Sequence, residues 1–395
     1  MDRRKFINLS CRTLASLMML PGLSGISLHE NFLSDETLTT GKKARAAGEI
    51  QLTEEEIKAR EAMYYSRLEN EQIRCELCFR GCRLSPGDRG YCRVRKNHEG
   101  KLYTLVYGNM TSVTYGPVEK KPLHQYKPGA QANNYGTAGC NLRCKFCHNW
   151  RLSQKKLEEV GRYEELTPER AVLNARSRQA SLISFTYNEP TVFYEFMLDT
   201  ARKAREEGLG VNVNTNAVLQ EEPLRELMQH ADSATVDLKG FSEEFYRDIC
   251  EGELEPVLNN LKIMKEMGVW VEVVNLVIPT LNDDEDMIED MCGWLYEELG
   301  PETPLHLNRF MPRYKLQDLS STPVETLERA RNIAIDRGLK YVYIGNVPGH
   351  DYNATFCPNC GEEVIKRHHF SIESVNIKEG ECEFCDQSIA GIWED

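Results

Sequence analysis

Three cysteines at short intervals give the strongest chemical signal in the sequence. Cys140, Cys144 and Cys147 stand at C-x3-C-x2-C spacing. A structural zinc site takes two pairs of ligands that close a tetrahedron, whereas a compact run of three thiols suits an iron–sulfur cluster. One iron of such a cluster has no protein ligand and stays open to a substrate or cofactor, and Phe146, just before the last cysteine, can shield the cluster from water. A zinc knuckle that borrows a distant ligand is the alternative.

A second group of cysteines precedes this stretch. Glycines and a Pro-Gly turn separate its four members, which are Cys75, Cys78, Cys82 and Cys92. Four thiols on tight turns can close a tetrahedral site, so the sequence predicts zinc here. A second iron–sulfur cluster would use the same type of ligand and is the competing interpretation.

A third group lies near the C-terminus. Residues 361–381 separate its two C-x2-C pairs, which are Cys357 with Cys360 and Cys382 with Cys385. This spacing predicts a structural, zinc-ribbon-like site with no open coordination position, although a rubredoxin-like iron centre would use identical ligands. No role is assigned to the isolated cysteines Cys11, Cys250 and Cys292.

The composition bounds the class of protein. The chain has 395 residues, enough for one large domain and one or two small ones. Hydrophobic residues make up 41% and charged residues 28%, as in ordinary soluble globular proteins. The net charge of −13 argues against a nucleic-acid partner, which would normally meet a basic face. Because most of the cysteines fall into the three groups, they indicate metal rather than a disulfide framework.

Paired arginines open the chain. Arg3 and Arg4 precede a mildly apolar stretch that runs to about Leu28, and residues 1–46 resemble a twin-arginine export signal with a linker. Arg12 interrupts the apolar stretch, so no transmembrane span is expected. A disordered or amphipathic tail is the alternative. The N-terminus thus predicts twin-arginine export, with a cytoplasmic location as the alternative.

From about residue 131 the pattern alternates between short strands and helices. The strands are predicted at 133–137, 182–186, 210–215, 234–238, 270–278, 305–310 and 341–344. The helices are predicted at 168–178, 190–207, 220–229, 242–266, 284–299 and 323–337. Parallel β/α units of this kind carry their chemistry on the loops after the strands, and the three-cysteine stretch follows the first strand.

The fold class is therefore α/β, with three parts beyond the N-terminal segment. Residues 131–350 form a partial (β/α)6 TIM-like barrel. Residues 47–130 form a small Cys-rich metal-binding module, in which a helix at 53–68 and a strand at 102–108 are expected. Residues 351–395 form the zinc-ribbon-like module.

Polar motifs end the next four strands of the predicted barrel. They are Tyr187-Asn188-Glu189-Pro190, Asn214-Thr215-Asn216-Ala217, Asp237-Leu238-Lys239 and the stretch from Val277 to Asp283. A carboxylate such as Glu189 suits an ammonium group, and a lysine such as Lys239 suits a carboxylate. On exposed loops each motif would be an ordinary turn, but four at consecutive strand ends indicate one binding site.

The three-cysteine stretch resembles that of the radical S-adenosylmethionine (SAM) enzymes, and the strand ends resemble the Gly-Gly-Glu-Pro, Asp-Thr-Asn-Gly and Asp-Leu-Lys motifs of glycyl-radical-enzyme activases. The resemblance implies a [4Fe-4S] cluster on the three cysteines and SAM on Phe146, Asn188, Glu189, Asn214, Asn216, Lys239 and Val277. In it Glu189 receives the amino group of SAM and Lys239 its carboxylate. Asn214, Thr215 and Asp237 would line a monovalent-cation site, in which Asn214 replaces the family's aspartate.

Other stretches are similar to the AmmeMemoRadiSam-system family of radical SAM proteins. They are Pro122-Leu123-His124, Cys147-His148-Asn149-Trp150, His306-Leu307-Asn308-Arg309-Phe310 and Tyr343-Ile344-Gly345-Asn346-Val347-Pro348-Gly349. This resemblance covers residues 70–395 and implies Memo-like and AMMECR-like partner proteins. His148 and His306 are left without a catalytic role, because lone histidines beside strands are more often held by packing and hydrogen bonds.

The resemblance implies an oxidoreductase that cleaves SAM reductively to a 5′-deoxyadenosyl radical. That radical would abstract hydrogen from a substrate, for which a protein glycyl residue is favoured. An external electron donor such as flavodoxin or ferredoxin would be needed. The alternatives are modification of a small molecule, or a non-catalytic metal-binding interaction protein. No catalytic acid or base is assigned, since the cofactor carries the difficult step.

Overall fold

The computed structural model describes residues 60–393. The twin-arginine segment, the linker and the start of the helix expected at 53–68 lie outside the described residues. Within residues 60–393, no helix is both long and apolar enough to cross a membrane.

The Cys-rich module after residue 60 is built from short antiparallel strands. They are β1 (Tyr65–Arg67), β2 (Ile73–Cys75), β3 (Arg83–Leu84), β4 (Arg95–His98), β5 (Lys101–Thr104) and β6 (Asn109–Met110). The first three form one sheet and β4 pairs with β5. The strand expected at 102–108 is therefore confined to β5. The helix expected at 53–68 is wrong over 60–68, because Ala62 donates its N–H to the Leu102 carbonyl and extends the β5 edge.

A single eight-stranded sheet forms the centre of the molecule. The strands of this part are β7 (Ser112–Pro117), β8 (Gln131–Gly136), β9 (Glu164–Glu165), β10 (Leu182–Phe185), β11 (Gly210–Thr215), β12 (Ser233–Asp237), β13 (Trp270–Val277), β14 (Leu305–Arg309) and β15 (Val342–Gly345). The order is β15-β14-β13-β12-β11-β10-β8-β7, while β9 pairs with β6 outside it. All neighbours are parallel except β7 and β8, and the sheet stays open because its outer strands do not pair with each other. The predicted α/β class is confirmed.

Helices alternate with these strands. They are α1 (Trp150–Ser153), α2 (Pro168–Ser177), α3 (Tyr194–Glu206), α4 (Glu221–Met228), α5 (Glu243–Phe245), α6 (Glu255–Glu266), α7 (Glu285–Trp294) and α8 (Val324–Asp336). Short 3-10 turns at Pro190–Phe193 and π turns at Tyr246–Cys250 and Leu295–Leu299 extend three of them. Their apolar faces form one continuous core with the strands.

The helix expected at 242–266 is wrong as a single element. It ends at Cys250, where Glu251 takes a positive φ of 51°. The carbonyls of Ile249 and Cys250 accept the N–H groups of Lys145 and Arg143 from the three-cysteine loop, at 2.9 and 2.8 Å. The last carbonyls of a helix have no partner within it, so this end is free to support the loop.

The inner face of the sheet is polar. Register places Asn134, Ser184, Asn212 and Ser233 side by side on β8, β10, β11 and β12. Asn212 donates to Ser184 at 2.9 Å and accepts from Ser233 at 3.1 Å. A polar inner face suits a polar ligand at the open end of the barrel.

The C-terminal module consists of β16 (Thr355–Phe356), β17 (Glu363–His368), β18 (Ser371–Val375), β19 (Ile377–Lys378) and β20 (Glu381–Cys382). The first three form one antiparallel sheet and the last two a hairpin. The module is anchored to the barrel where the Ala390 N–H donates to the Tyr341 hydroxyl at 3.1 Å and the Ile392 N–H to the Gln125 carbonyl at 2.8 Å.

Candidate active site and metal centres

The three-cysteine loop joins β8 to α1. Cys144 is buried, while Cys140 and Cys147 are half-buried. The Leu142 N–H donates to the Cys140 sulfur at 3.4 Å, and the Cys147 sulfur lies 3.1 Å from the Ser153 hydroxyl. Such contacts orient the sulfurs and stabilise thiolates, the form that binds a metal.

Burial keeps these thiols neutral when no metal is bound. It raises the pKa of Cys140, with a further contribution from the Glu189 carboxylate, and it raises the pKa of Cys147. The Cys250 thiol, followed by burial, raises the pKa of Cys144. Sequence reasoning gave Cys250 no role, and no spacing signal could have placed it beside Cys144.

The spacing of the sulfurs separates this loop from the C-terminal cysteines. In the described chain, the one group of three or more ligand atoms that lie within 4.8 Å of one another is the C-terminal quartet. Four thiolates on one zinc ion, at about 2.3 Å each, stand about 3.8 Å apart. The thiolates of a four-iron cluster bind different irons and stand farther apart. The three-cysteine loop therefore fits a cluster better than a single ion.

Phe146 lies where the sequence predicted a shield. It is 6% exposed, and its ring centre lies 6.1 Å from that of Phe245. The Lys239 ammonium lies 6.0 Å from the centre of the Phe146 ring. An aromatic wall and a cation thus stand beside the cysteine loop.

Asn188 connects the turn after β10 to the cysteine loop. Its side-chain amide donates to the Gly139 carbonyl at 2.9 Å, and its oxygen accepts the Thr137 N–H at 3.0 Å. These two hydrogen bonds hold the backbone that leads into Cys140. The geometry gives Asn188 a positioning task.

Glu189 is a buried carboxylate at the centre of the strand ends. One oxygen accepts from the Thr191 N–H at 3.0 Å, the Thr191 hydroxyl at 2.6 Å and the Thr215 hydroxyl at 2.7 Å. The other accepts the Asn216 N–H at 2.7 Å. Burial raises the pKa of Glu189, while these hydrogen bonds oppose the shift. The second oxygen keeps a lone pair for a further donor such as an ammonium.

The turn after β11 also contacts the cysteine loop. The Asn216 amide donates to the Asn141 side-chain oxygen at 2.9 Å. The Asn214 side-chain oxygen accepts a hydrogen bond from the Thr186 hydroxyl at 3.0 Å. The Thr215 hydroxyl donates to Glu189, so both residues already have protein partners. Asp237, the third residue expected at a cation site, pairs with Lys239 instead.

Lys239 is the cation of the site. Its ammonium lies 3.2 Å from an Asp237 carboxylate oxygen, and its side chain is 14% exposed. Burial opposes its charge, but the Asp237 carboxylate favours it, and the pKa of Lys239 is raised well above its usual value. A charged, mostly buried ammonium beside the cysteine loop suits an anionic group such as a carboxylate.

Val277 ends β13 in the buried core. Register pairs Val277 with Arg309 and the preceding Leu276 with Asn308. Because successive residues of a strand face opposite sides of the sheet, Val277 lies on the side opposite the polar inner face. Its carbonyl accepts from the Thr322 hydroxyl at 2.6 Å. The Val277 side chain, which the sequence predicted to bind the cofactor, therefore packs in the hydrophobic core. A ligand at this strand end would contact the backbone near Val277.

Three strand-end turns place residues other than glycine at positive φ. The angles are 74° at Tyr187, 55° at Ala217 and 66° at Thr280. Glycine adopts this conformation without cost, and two of the three residues, Tyr187 and Ala217, stand where the motifs that these turns resemble have glycine.

Two inner-face groups and one lysine were not found from the sequence. Within the described residues, Asn134 Oδ1 and Thr235 Oγ1 are buried with no hydrogen-bond partner. Lys121 is 5% exposed, and its ammonium lies 4.7 Å from the Tyr187 ring centre. Buried polar atoms without partners are costly and are typical of a ligand site. No local pattern around Lys121 predicts that it reaches the barrel interior.

The two histidines left without a role differ in setting. His148 is exposed near the cysteine loop. His306 is buried, and its Nε2 lies 2.7 Å from Glu272, which also accepts the N–H groups of His124 and Gln125 at 2.9 and 2.8 Å. His306 is thus part of a buried hydrogen-bond cluster, as the sequence reasoning favoured.

The C-terminal quartet forms a compact tetrathiol site. The sulfurs of Cys357 and Cys385 are 3.6 Å apart, and those of Cys360 and Cys382 are 3.8 Å apart. These distances match four ligands of one ion. A hydrogen bond from Asn359 lowers the pKa of Cys385 to about 6, which favours a thiolate. The quartet can hold a metal.

The comparisons with known proteins agree with this geometry. Residues 134–292 match the radical SAM superfamily. The chain is 45% identical over 332 residues to the uncharacterized protein MJ0808 of Methanocaldococcus jannaschii, covering 84% of this chain and 98% of that protein.

The chain contains a radical SAM domain and belongs to one family with that methanogen protein. It is also 24% identical to the pyruvate formate-lyase-activating enzyme of Clostridium pasteurianum, over 51% of this chain and 87% of that enzyme. Among solved structures, SuiB of Streptococcus suis bound to S-adenosylmethionine matches with a TM-score of 0.44 and 12% identity, over 58% of this chain and 53% of SuiB.

Radical SAM proteins use a [4Fe-4S] cluster and SAM, and the residues present fit both groups. Three thiols stand on one loop and are not drawn together within 4.8 Å as the C-terminal four are. The carboxylate of Glu189 and the ammonium of Lys239 offer opposite charges for the two ends of an amino acid. The Asn134 and Thr235 oxygens add buried polar atoms to the inner face of the sheet.

Proposed function

We propose that this radical SAM enzyme abstracts hydrogen from a glycyl residue of a protein, as an activase-like oxidoreductase. The observation that carries the proposal is the similarity to pyruvate formate-lyase-activating enzymes, which spans 87% of the Clostridium enzyme. The further similarity to a protein named as a putative glycyl-radical enzyme activating enzyme, 29% identical over 39% of this chain, supports the same direction.

Each side chain of the site has a distinct task in this proposal. Cys140, Cys144 and Cys147 hold the cluster. Lys239 holds the SAM carboxylate and Glu189, through its second oxygen, the SAM ammonium. When bound, the reduced cluster and SAM supply one-electron cleavage of a sulfonium carbon–sulfur bond and a carbon radical that takes a hydrogen atom.

Other residues position these groups and exclude water. Asn188 and Asn216 tie two strand-end turns to the cysteine loop. Phe146 covers the loop from the side of Phe245. A water-excluded site protects a radical from side reactions. The side chain of Asn214 would act through Thr186, and the backbone near Val277 would meet the adenine side of SAM.

The flanking modules belong to the same proposal. The C-terminal quartet holds a structural zinc ion, and the parts 47–130, 131–350 and 351–395 act as separate domains. An electron donor of the flavodoxin or ferredoxin class reduces the cluster. The proposal includes Memo-like and AMMECR-like partner proteins, because of the resemblance to the AmmeMemoRadiSam-system family. It also includes twin-arginine export, because of the sequence before residue 47.

The test of the substrate uses the origin of the hydrogen atom. The cluster-loaded enzyme, SAM and reductant are mixed with an extract of cells that were grown on glycine deuterated at the α-carbon. The extract is divided into macromolecular and small-molecule fractions. Deuterium in 5′-deoxyadenosine from the macromolecular fraction alone is the expected result. Deuterium-free product, or product that needs the small-molecule fraction, would favour small-molecule modification.

A further inference from the structure

The four cysteines of the N-terminal module line one small cavity of about 20 Å³. Cys75 is buried and the other three are half-buried. Gly90 lies between two of them: a Cβ at this position would be 3.6 Å from the Cys92 sulfur and 4.0 Å from the Cys82 sulfur. Any side chain at position 90 would enter the space that the thiols surround.

The sulfurs of this module are spread more widely than those of the C-terminal quartet. No three of the four lie within 4.8 Å of one another, whereas all four C-terminal sulfurs do. Both groups have four thiols on tight turns, so the chain itself offers the comparison. One zinc ion needs sulfurs about 3.8 Å apart, which the C-terminal site provides and this cavity does not.

The charges around the cavity suit an anionic cluster. Arg95 lines the cavity and is buried, with its guanidinium 2.6 Å from the Glu195 carboxylate. Arg80 lines it as well and stacks on Tyr91 at 3.8 Å. Iron–sulfur clusters with four thiolates carry negative charge, which buried cations stabilise.

The cavity adjoins the three-cysteine loop. Asn141 lines it, and Arg80 Nε donates to the Asn141 carbonyl at 3.0 Å. A Cβ on Gly139 would lie 2.6 Å from the Cys92 carbonyl, so only glycine allows this approach. Arg143 from the loop lies over the Tyr91 ring at 4.1 Å. The two groups of cysteines are thus in direct backbone contact.

We propose that Cys75, Cys78, Cys82 and Cys92 hold a second [4Fe-4S] cluster instead of zinc. Four thiolates occupy all four irons, so this cluster binds no substrate and serves electron transfer. It takes one electron from a flavodoxin- or ferredoxin-class donor and passes one electron to the neighbouring cluster, with no bond made or broken. The inference goes beyond the proposed function and holds whichever substrate is used.

The test uses the full chain with Cys140, Cys144 and Cys147 all changed to alanine, reconstituted anaerobically. We expect about four iron and about four sulfide per chain to remain, with an EPR signal after dithionite that SAM does not alter. Adding Cys75→Ala and Cys78→Ala should remove this iron and sulfide. A triple variant that holds two zinc ions and no sulfide would overturn the proposal. The sulfide content distinguishes an iron–sulfur cluster from a rubredoxin-like iron at the C-terminus, which contains no sulfide.

Circular dichroism checks whether the triple variant folds. If it does not fold, a second measurement on the unaltered protein tests the proposal. In the unaltered protein we expect about eight iron per chain and two EPR signals, of which SAM shifts one. About four iron with two zinc ions per chain would contradict the proposal. Neither measurement depends on turnover.

Discussion

At the scale of single residues, the site combines a mostly buried cation, Lys239 after β12, with a buried carboxylate, Glu189 after β10. Lys239 and Glu189 each have protein partners but keep capacity for a ligand. The sequence could predict both, because each lies in a motif at a strand end. It could not predict Lys121 or the contact of Cys250 with Cys144, because these depend on long-range packing.

The charge of Lys239 should decide SAM affinity. Lys239→Gln should weaken SAM binding about 10–100-fold, since a hydrogen bond to a charged group contributes about 1.5–3 kcal/mol. Anaerobic titration calorimetry of the cluster-loaded protein measures it. Lys262→Gln is the control, because its exposed pair with Glu298 at 3.7 Å contributes little. Equal affinities of the two variants would remove Lys239 from the binding site.

Lys121 should destabilise the fold at neutral pH. Burial, with the neighbouring Lys120, lowers its pKa from 10.5 to about 8, so the folded state resists its charge. Lys121→Met should raise the free energy of unfolding by about 2–3 kcal/mol below pH 8, and the gain should vanish as the pH rises toward 10.5. Urea unfolding at several pH values measures this.

The exposed Lys120 gives the matched control for Lys121. Lys120→Met removes only the like-charge contribution to the lowered pKa of Lys121, so it should raise the free energy of unfolding much less than Lys121→Met does. A Lys121→Met protein that is less stable than the parent at pH 7 would show that the ammonium has a stabilising partner.

At the scale of elements, the alternating pattern predicted the seven parallel strands of the sheet to within about two residues, because buried parallel strands are short apolar runs between turns. It did not predict the antiparallel edge strand β7. The errors in two helices have a common cause. The helix expected at 242–266 ends at Cys250, where its last carbonyls bind the cysteine loop. Residues 61 and 62 pair with β5, and residues 65–67 form β1, which pairs with β2. In both places tertiary hydrogen bonds override local propensity.

The base of the sheet provides an element-scale prediction. His306→Ala leaves Glu272 with one partner fewer in a buried setting and should cost about 3 kcal/mol of unfolding free energy. His306→Gln, which can still donate, should recover part of this loss. Both variants should still cleave SAM. Lost cleavage with unchanged stability in urea unfolding would instead place His306 in the catalytic machinery.

At the scale of the whole molecule, three groups of cysteines divide the tasks. The four sulfurs of the C-terminal quartet lie within 4.8 Å of one another, and the two wider groups are in direct backbone contact. The sequence predicted three metal groups from spacing alone. It could not separate zinc from iron–sulfur at the N-terminal group, because ligand type and spacing are shared and only the sulfur geometry differs.

The central claim is that the three-cysteine loop supports reductive cleavage of SAM. The most direct measurement is the formation of 5′-deoxyadenosine by anaerobically reconstituted protein with dithionite and SAM, followed by chromatography. The unaltered protein and Cys292→Ala, a buried cysteine of α7, should form it. Cys144→Ala should form none. Equal product from Cys144→Ala, or none from unaltered protein with an intact cluster and bound SAM, would contradict the account.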